Sequence, residues 1–228
     1  MSIEDNTPTG FLMNWRRSTC YGLVDTDKQQ RIEFDIDTLF KNIKNSGIKF
    51  FGKYDTKWSS GYENFTFGLS PSLKILEQFY DQLMLIGAGQ LFDWDTFWGI
   101  KGTGDKIEDQ GHLLTEQAIN SEGGNQEYPM AFYALWNRTD SFYLADLAER
   151  KKSSDEITEV FDAAREAGVI TFGRYESHWF NKWKFFTFWL GPSFDVLQNV
   201  FDQLEIAGDF LYASPLHRMG WLSEIKKV

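Results

Sequence analysis

The stretch "FGRYESHW", Phe172 to Trp179, sets Arg174, Glu176 and His178 at alternate positions, with Tyr175 among them. Alternate residues of an extended strand share a face, so a cation, a carboxylate and an imidazole would stand in one row. Histidine changes charge near neutral pH and binds metals through a ring nitrogen, and a nearby carboxylate can orient it. Burial or a neighbouring charge can bring such groups into the range where they transfer protons. Tyr175, Glu176, His178 and Arg174 are therefore the candidate catalytic set. Tyr54, Arg17, Arg138, Trp179 and Trp189 are the candidate substrate-binding set. A phenol can hydrogen-bond a substrate oxygen, a guanidinium can anchor a carboxylate or enolate, and indoles wall an apolar pocket. The competing reading of the charged row is a solvated or mutually paired ladder near a sheet edge.

The elements that must carry these residues are legible because the chain repeats itself. "FGKYDTKW", Phe51 to Trp58, precedes its twin by 121 positions, and His178 stands where the first copy has Lys57. The same offset joins Trp15 to Trp136, Phe40 to Phe161, Gly47 to Gly168, "FTFGLSPS" to "FTFWLGPS" and one "DQL" to the other, without a gap from Phe11 to Gly87. In each copy a short apolar strand ("GFLMNW", "AFYALW") precedes a helix with apolar residues at helical spacing, closed by Gly47 or Gly168. A hairpin follows, then a helix with Pro71 or Pro192 expected in its first turn. Ser153 and Glu156 suggest a capping box for the second copy's first helix. Final strands are expected near Gln90–Phe97 and Asp209–Ala213. The order β-α-β-β-α-β is the ferredoxin-like unit, so the expected class is α+β with two such repeats, at residues 8–97 and 130–228, joined by a connector at 98–129.

Composition narrows the function. A net charge of −10 disfavours nucleic acid and anionic membranes, whose binding rests on Lys and Arg. No apolar run approaches the roughly 20 residues of a membrane helix, and the acidic, polar start is unlike a signal peptide, so the expected location is the cytoplasm. One cysteine, Cys20, leaves no internal disulfide and no multi-thiolate metal site. Zinc, P-loop and nucleophile-elbow motifs are absent. Aromatic residues make up 17% of the chain, including nine Trp and 21 Phe, which suits a ring-lined pocket for an apolar or flat ligand as well as a ring-packed core.

A ferredoxin-like unit leaves one sheet face open, so two copies in one chain are expected to pack sheet to sheet as an intramolecular barrel. In this the sequence resembles the dimeric α/β-barrel superfamily in tandem form, as in chlorite dismutase-like, Dyp-type peroxidase, antibiotic-biosynthesis monooxygenase and aldoxime dehydratase relatives. The resemblance implies an enzyme acting on an apolar or aromatic molecule in a barrel cavity, as an oxygenase, cyclase, isomerase or dehydratase, by acid/base chemistry and without a cofactor. Haem proteins of the superfamily use a proximal histidine, so it also implies a haem-dependent alternative with His178 or His217 as axial ligand. A non-catalytic binding or interaction protein is the third reading. The expected partner is a small molecule, and the expected state a monomer or homo-oligomer.

Overall fold

The computed structural model describes residues 7–56, 61–102, 110–111, 114, 127–177 and 182–223. His112, His178, Trp179, Lys57 and Trp58 lie outside them. The chain divides into two compact units, one built on each repeat, with Lys101 and Gly102 belonging to the second.

In the first unit β1 (Thr9–Arg17), α1 (Thr26–Asn42), β2 (Lys49–Asp55), β3 (Asn64–Ser70), α2 (Leu73–Leu85) and β4 (Phe92–Lys101) follow in order. The second repeats them as β5 (Met130–Arg138), α3 (Asp140–Leu144), α4 (Leu147–Glu166), β6 (Ile170–Glu176), β7 (Phe185–Gly191), α5 (Phe194–Ile206), α6 (Asp209–Tyr212) and β8 (Ala213–Leu222). The sheets are antiparallel, β4-β1-β3-β2 and β8-β5-β7-β6. Trp15 pairs with Trp94 and Trp136 with Pro215, so the 121-residue register runs on through the last strands.

Three local expectations are corrected. The capping box of α4 is Asp146 with Glu149, because the helix begins earlier than Ser153, which is buried within it. Pro71 and Pro192 precede the helices, whose N-caps are Ser72 and Ser193, each accepting a backbone N–H through its hydroxyl. Residues 209–212 form a helical turn rather than a strand, and β8 begins at Ala213; β4 runs on to Lys101, inside the stretch read as connector.

A fourth correction bears on the candidate site. Simple alternation puts Phe172, Arg174 and Glu176 on one face of β6, but a register shift intervenes between Thr171 and Arg174, with Gly173 at φ 79°. This bulge inserts an extra residue and turns the chain over. Phe172 and Tyr175 therefore share a face, against Phe188 and Phe186, while Arg174 pairs with Thr187 on the other. Gly52 makes the same bulge at φ 115°, with the Tyr54 ring folded over it: a Cβ there would stand 2.9 Å from that ring, so only glycine fits. The repeated Phe-Gly-X-Tyr thus encodes a bulge.

Each unit packs one sheet face against its own helices. In the first, Phe11, Trp15, Phe50, Leu76 and Phe79 meet Ile36, Leu39 and Phe40; in the second, Phe132, Ala134, Trp189, Leu197 and Val200 meet Ile157, Val160 and Phe161. The second packing is the less complete.

Candidate functional site

The void follows from what the second repeat leaves out. In the first unit Trp15 packs against Phe92 and Trp94, at 6.4 and 5.5 Å between ring centroids. Trp136 holds the same place in the second, but Ala213 and Pro215 stand where those rings were, and Trp136 stacks instead on Phe185 at 4.4 Å. Met13 and Ile32 likewise become Ala134 and Ser153. Trp189 replaces Gly68 and refills part of the space. A cavity of about 250 Å³ remains between the sheet and α4, α5 and α6, walled by Trp136, Phe161, Trp189, Phe201 and Phe210. A second cavity of about 440 Å³ lies beside α5 and β8, and the two share Phe201, Phe210, Pro215 and His217.

Polar groups enter the first cavity, all but Arg138 at places where the repeat changes character. Arg138, Arg150, Arg174, Asp209 and His217 line it, in places where the first unit has Arg17, Gln29, Lys53, Ala88 and Thr96. Ala88 is fully buried, so Asp209 puts a carboxyl into what is core in the twin. Burial pushes that carboxyl up from 3.8 to about 6. Burial pushes His217 down to about 4, so its imidazole is neutral at pH 7 and keeps a lone pair for a metal or a donor. The ring sits among Phe201, Phe132 and Phe210, at 5.1, 5.2 and 5.6 Å. Two buried donors in the cavity wall, Arg150 Nε and Trp189 Nε1, have no hydrogen-bond partner among the described residues.

Of the residues expected from sequence, Arg174, Arg138, Trp189 and His217 meet in this cavity. Glu176 is beside it, accepting a hydrogen bond from Arg174 Nη2 at 2.9 Å, with side-chain exposures of 14% for Arg174 and 28% for Glu176. The row is thus a paired, half-buried couple. Tyr175 is on the opposite face of β6, buried and stacked on Phe186 at 5.0 Å. Tyr54 is buried in the first unit and donates to the Phe51 carbonyl at 2.8 Å; burial raises its pKa, which suits a phenol that stays protonated. Arg17 is exposed, with its guanidinium 4.9 Å from the centre of the Tyr21 ring. His178 and Trp179 lie outside the described residues. Cys20 is exposed, and no cluster of metal-ligating side chains occurs among the described residues.

Arg150, Asp209, Phe142 and Phe185 escaped the sequence reading. Their signal was present in the repeat as places where the halves differ in volume or charge.

With this geometry in place, comparison with known proteins gives the fold. No family model and no curated protein matches the chain. Solved structures do: a variant chlorite dismutase from Candidatus Nitrospira defluvii has a TM-score of 0.70 at 14% identity, covering 96% of this chain and 92% of its own. The chlorite dismutase from that organism in complex with imidazole has a TM-score of 0.72 at 13% identity, with the same coverage. A third, a variant in complex with cyanide, has a TM-score of 0.68 at 14% identity. The chain has the chlorite dismutase-like fold, the tandem ferredoxin-like duplication of the dimeric α/β barrel. No helix among the described residues is long and apolar enough to cross a membrane.

Proposed function

We propose that the helix-side cavity of the second unit is the working site of a small-molecule enzyme in the cytoplasm, and that its occupant is a flat, largely apolar molecule bearing acidic groups. The observation that carries this reading is the contrast between the repeats. The first unit fills this space with Met13, Ile32, Phe92 and Trp94, so the fold tolerates a filled core there. Leaving a void and burying polar groups both cost stability, several kcal/mol for a large cavity, and a site is the simplest compensation. On this reading the substrate lies between sheet and helices, whereas the expectation from sequence is a barrel cavity.

The chlorite dismutase-like fold favours haem as the occupant over the cofactor-free reading. The residues present fit it in kind. His217 would supply a neutral imidazole as an iron ligand, Arg138, Arg150 and Arg174 would hold the propionates, and Trp136, Phe161, Trp189, Phe201 and Phe210 would enclose the macrocycle. The α4 wall presents Arg150, Ser153, Ser154, Ile157, Thr158 and Phe161, and among the described residues His217 of β8 is the histidine that lines the cavity. The ring-walled cavity holds about 250 Å³, below the ~300–1,000 Å³ of ligand sites, so haem would also need the adjoining void of about 440 Å³, which shares His217 and is lined by Asp202 and Glu205 as well. When bound, haem would supply one-electron or oxygen chemistry. The chain's own part is to fix the acidic groups with guanidinium donors, exclude water with its rings, and hold a proton on Asp209, whose pKa of about 6 lets it give or take one near neutrality.

Titrating hemin into the purified protein tests the haem assignment. A saturable Soret shift that His217→Ala abolishes supports it. A spectrum equal to free hemin, or one indifferent to His217→Ala, overturns it.

A further inference from the structure

The geometry points to an oxyanion-recognition site at the mouth of this cavity, built as a ladder of guanidinium and phenyl groups, for a carboxylate or phosphate carried on an aromatic body. The guanidinium carbon of Arg150 lies 4.8 Å from the centre of the Phe142 ring, and that of Arg138 lies 4.1 Å from the same centre. Arg138 is also 5.5 Å from the centre of Phe185, and Arg174 is 5.1 Å from it. The order is Arg150, Phe142, Arg138, Phe185, Arg174. All five side chains are half-buried.

The repeat shows how the ladder arose. At the equivalent places the first unit has Arg17 over Tyr21, whose hydroxyl donates to Glu33 at 2.8 Å, while Gln29 donates to the carbonyls of Tyr21 and Val24. In the second unit Tyr21 becomes Phe142, Glu33 becomes Ser154, Gln29 becomes Arg150, Lys53 becomes Arg174 and Asn64 becomes Phe185. One acid is withdrawn, one cation is added, another becomes a guanidinium, and a second ring is inserted to separate them. A chain of net charge −10 has thus gathered three guanidinium groups along one wall.

Stacking occupies the flat faces of a guanidinium and leaves its donors around the edge, in the plane that matches a planar or tetrahedral oxyanion. Guanidinium groups gathered on one wall, Arg174 among them paired with Glu176, make a positive surface that offers charge-assisted hydrogen bonds to an oxyanion. Two features hold the ladder in place. Phe142 sits on α3, tied down by Thr139, whose hydroxyl donates to the Leu211 carbonyl at 2.6 Å and whose N–H donates to the Tyr212 carbonyl at 3.1 Å. At the other end Gly102 covers the Arg174–Glu176 pair: a Cβ there would stand 3.1 Å from Arg174 Nε and 3.2 Å from Glu176 Oε1. The aromatic floor beyond the ladder selects an anion that carries a flat apolar body over a bare ion.

This inference rests on the second-unit cavity being the working site, and it does not require haem. It is tested on the full chain by calorimetric titration with 2-naphthoate, 2-naphthyl phosphate and neutral 2-naphthol. At least one acid should bind tenfold or more tightly than 2-naphthol, the tighter of the two identifying the oxyanion, and added NaCl should weaken it. Arg138→Gln should bring that acid to the level of 2-naphthol, whereas Lys152→Gln, a charge loss on the exposed side of α4, should leave it unchanged. Equal binding of acids and 2-naphthol, no binding of either acid, or indifference to Arg138→Gln would overturn the ladder. The two proposals separate cleanly. Naphthyl acids held through Arg138 without a hemin Soret shift would sink the haem reading alone, and a His217-dependent shift with indifference to Arg138→Gln would sink the ladder alone.

Discussion

Trp136 stacks face to face on Phe185 of β7, at 4.4 Å and 28°, whereas its repeat mate Trp15 packs on Trp94 of β4, whose counterpart is Pro215. One side chain in one fold thus has two surroundings, and the difference between them is the cavity.

Refilling the cavity from the twin should close the site. Ala134→Met restores the Met13 of the first unit, a residue that is fully buried there. It should raise stability by about 1 kcal/mol in urea titration, as cavity-filling changes commonly do, and weaken binding of the naphthyl acid at least tenfold. Unchanged binding would show that the ligand does not occupy this void.

Asp209 should make the protein less stable as pH rises. Its carboxyl holds a proton up to about pH 6 in the folded state against 3.8 for the ordinary group, so between these values the folded state binds more protons than the unfolded chain. That advantage is whole below pH 3.8 and gone above about 6, and it corresponds to about 3 kcal/mol. Asp209→Asn should therefore exceed the parent in stability at pH 7–8 and match it near pH 4, as read from urea midpoints. His217 works in the opposite sense: burial lowers it from 6.5 to about 4, so its contribution is lost as pH falls through that window. The Asn variant should consequently show a steeper loss of stability between pH 6.5 and 4 than the parent. A parallel pair of pH profiles would contradict the burial of the Asp209 carboxyl.

Tyr54→Phe should act on stability alone. The hydroxyl donates to the Phe51 carbonyl within the bulge, so its loss should cost about 1 kcal/mol. Calorimetric affinities for hemin and for the naphthyl acids should not move, because Tyr54 lines neither cavity of the second unit. A change in affinity would return Tyr54 to the binding set.

Gly102→Val should disturb recognition from behind. Its side chain would have to displace the Arg174–Glu176 pair that Gly102 now covers. Affinity for the naphthyl acid should fall several-fold with the circular dichroism spectrum retained. Full affinity would mean that Arg174 contributes nothing to the ladder.

Much of this was legible in the chain itself. The 121-residue repeat, the order of strands and helices and the closing glycines Gly47 and Gly168 follow from periodicity and self-similarity, which are local properties of the sequence. The same comparison singled out the charged row around Arg174. Three-dimensional structure decided the rest. Gly173 carries a positive φ that no periodic pattern announces, and that one bulge sends Tyr175 to one face of β6 and Arg174 to the other. The cavity is the space left by side chains missing from β5, β8 and α4 at once, a sum over elements far apart in sequence. Arg138, Arg150 and Arg174 are scattered charges in the chain, and only strand pairing and helix docking stack them on Phe142 and Phe185. Local pattern determines which elements form, whereas the chemistry of this protein depends on which side chains those elements bring to the same few ångströms.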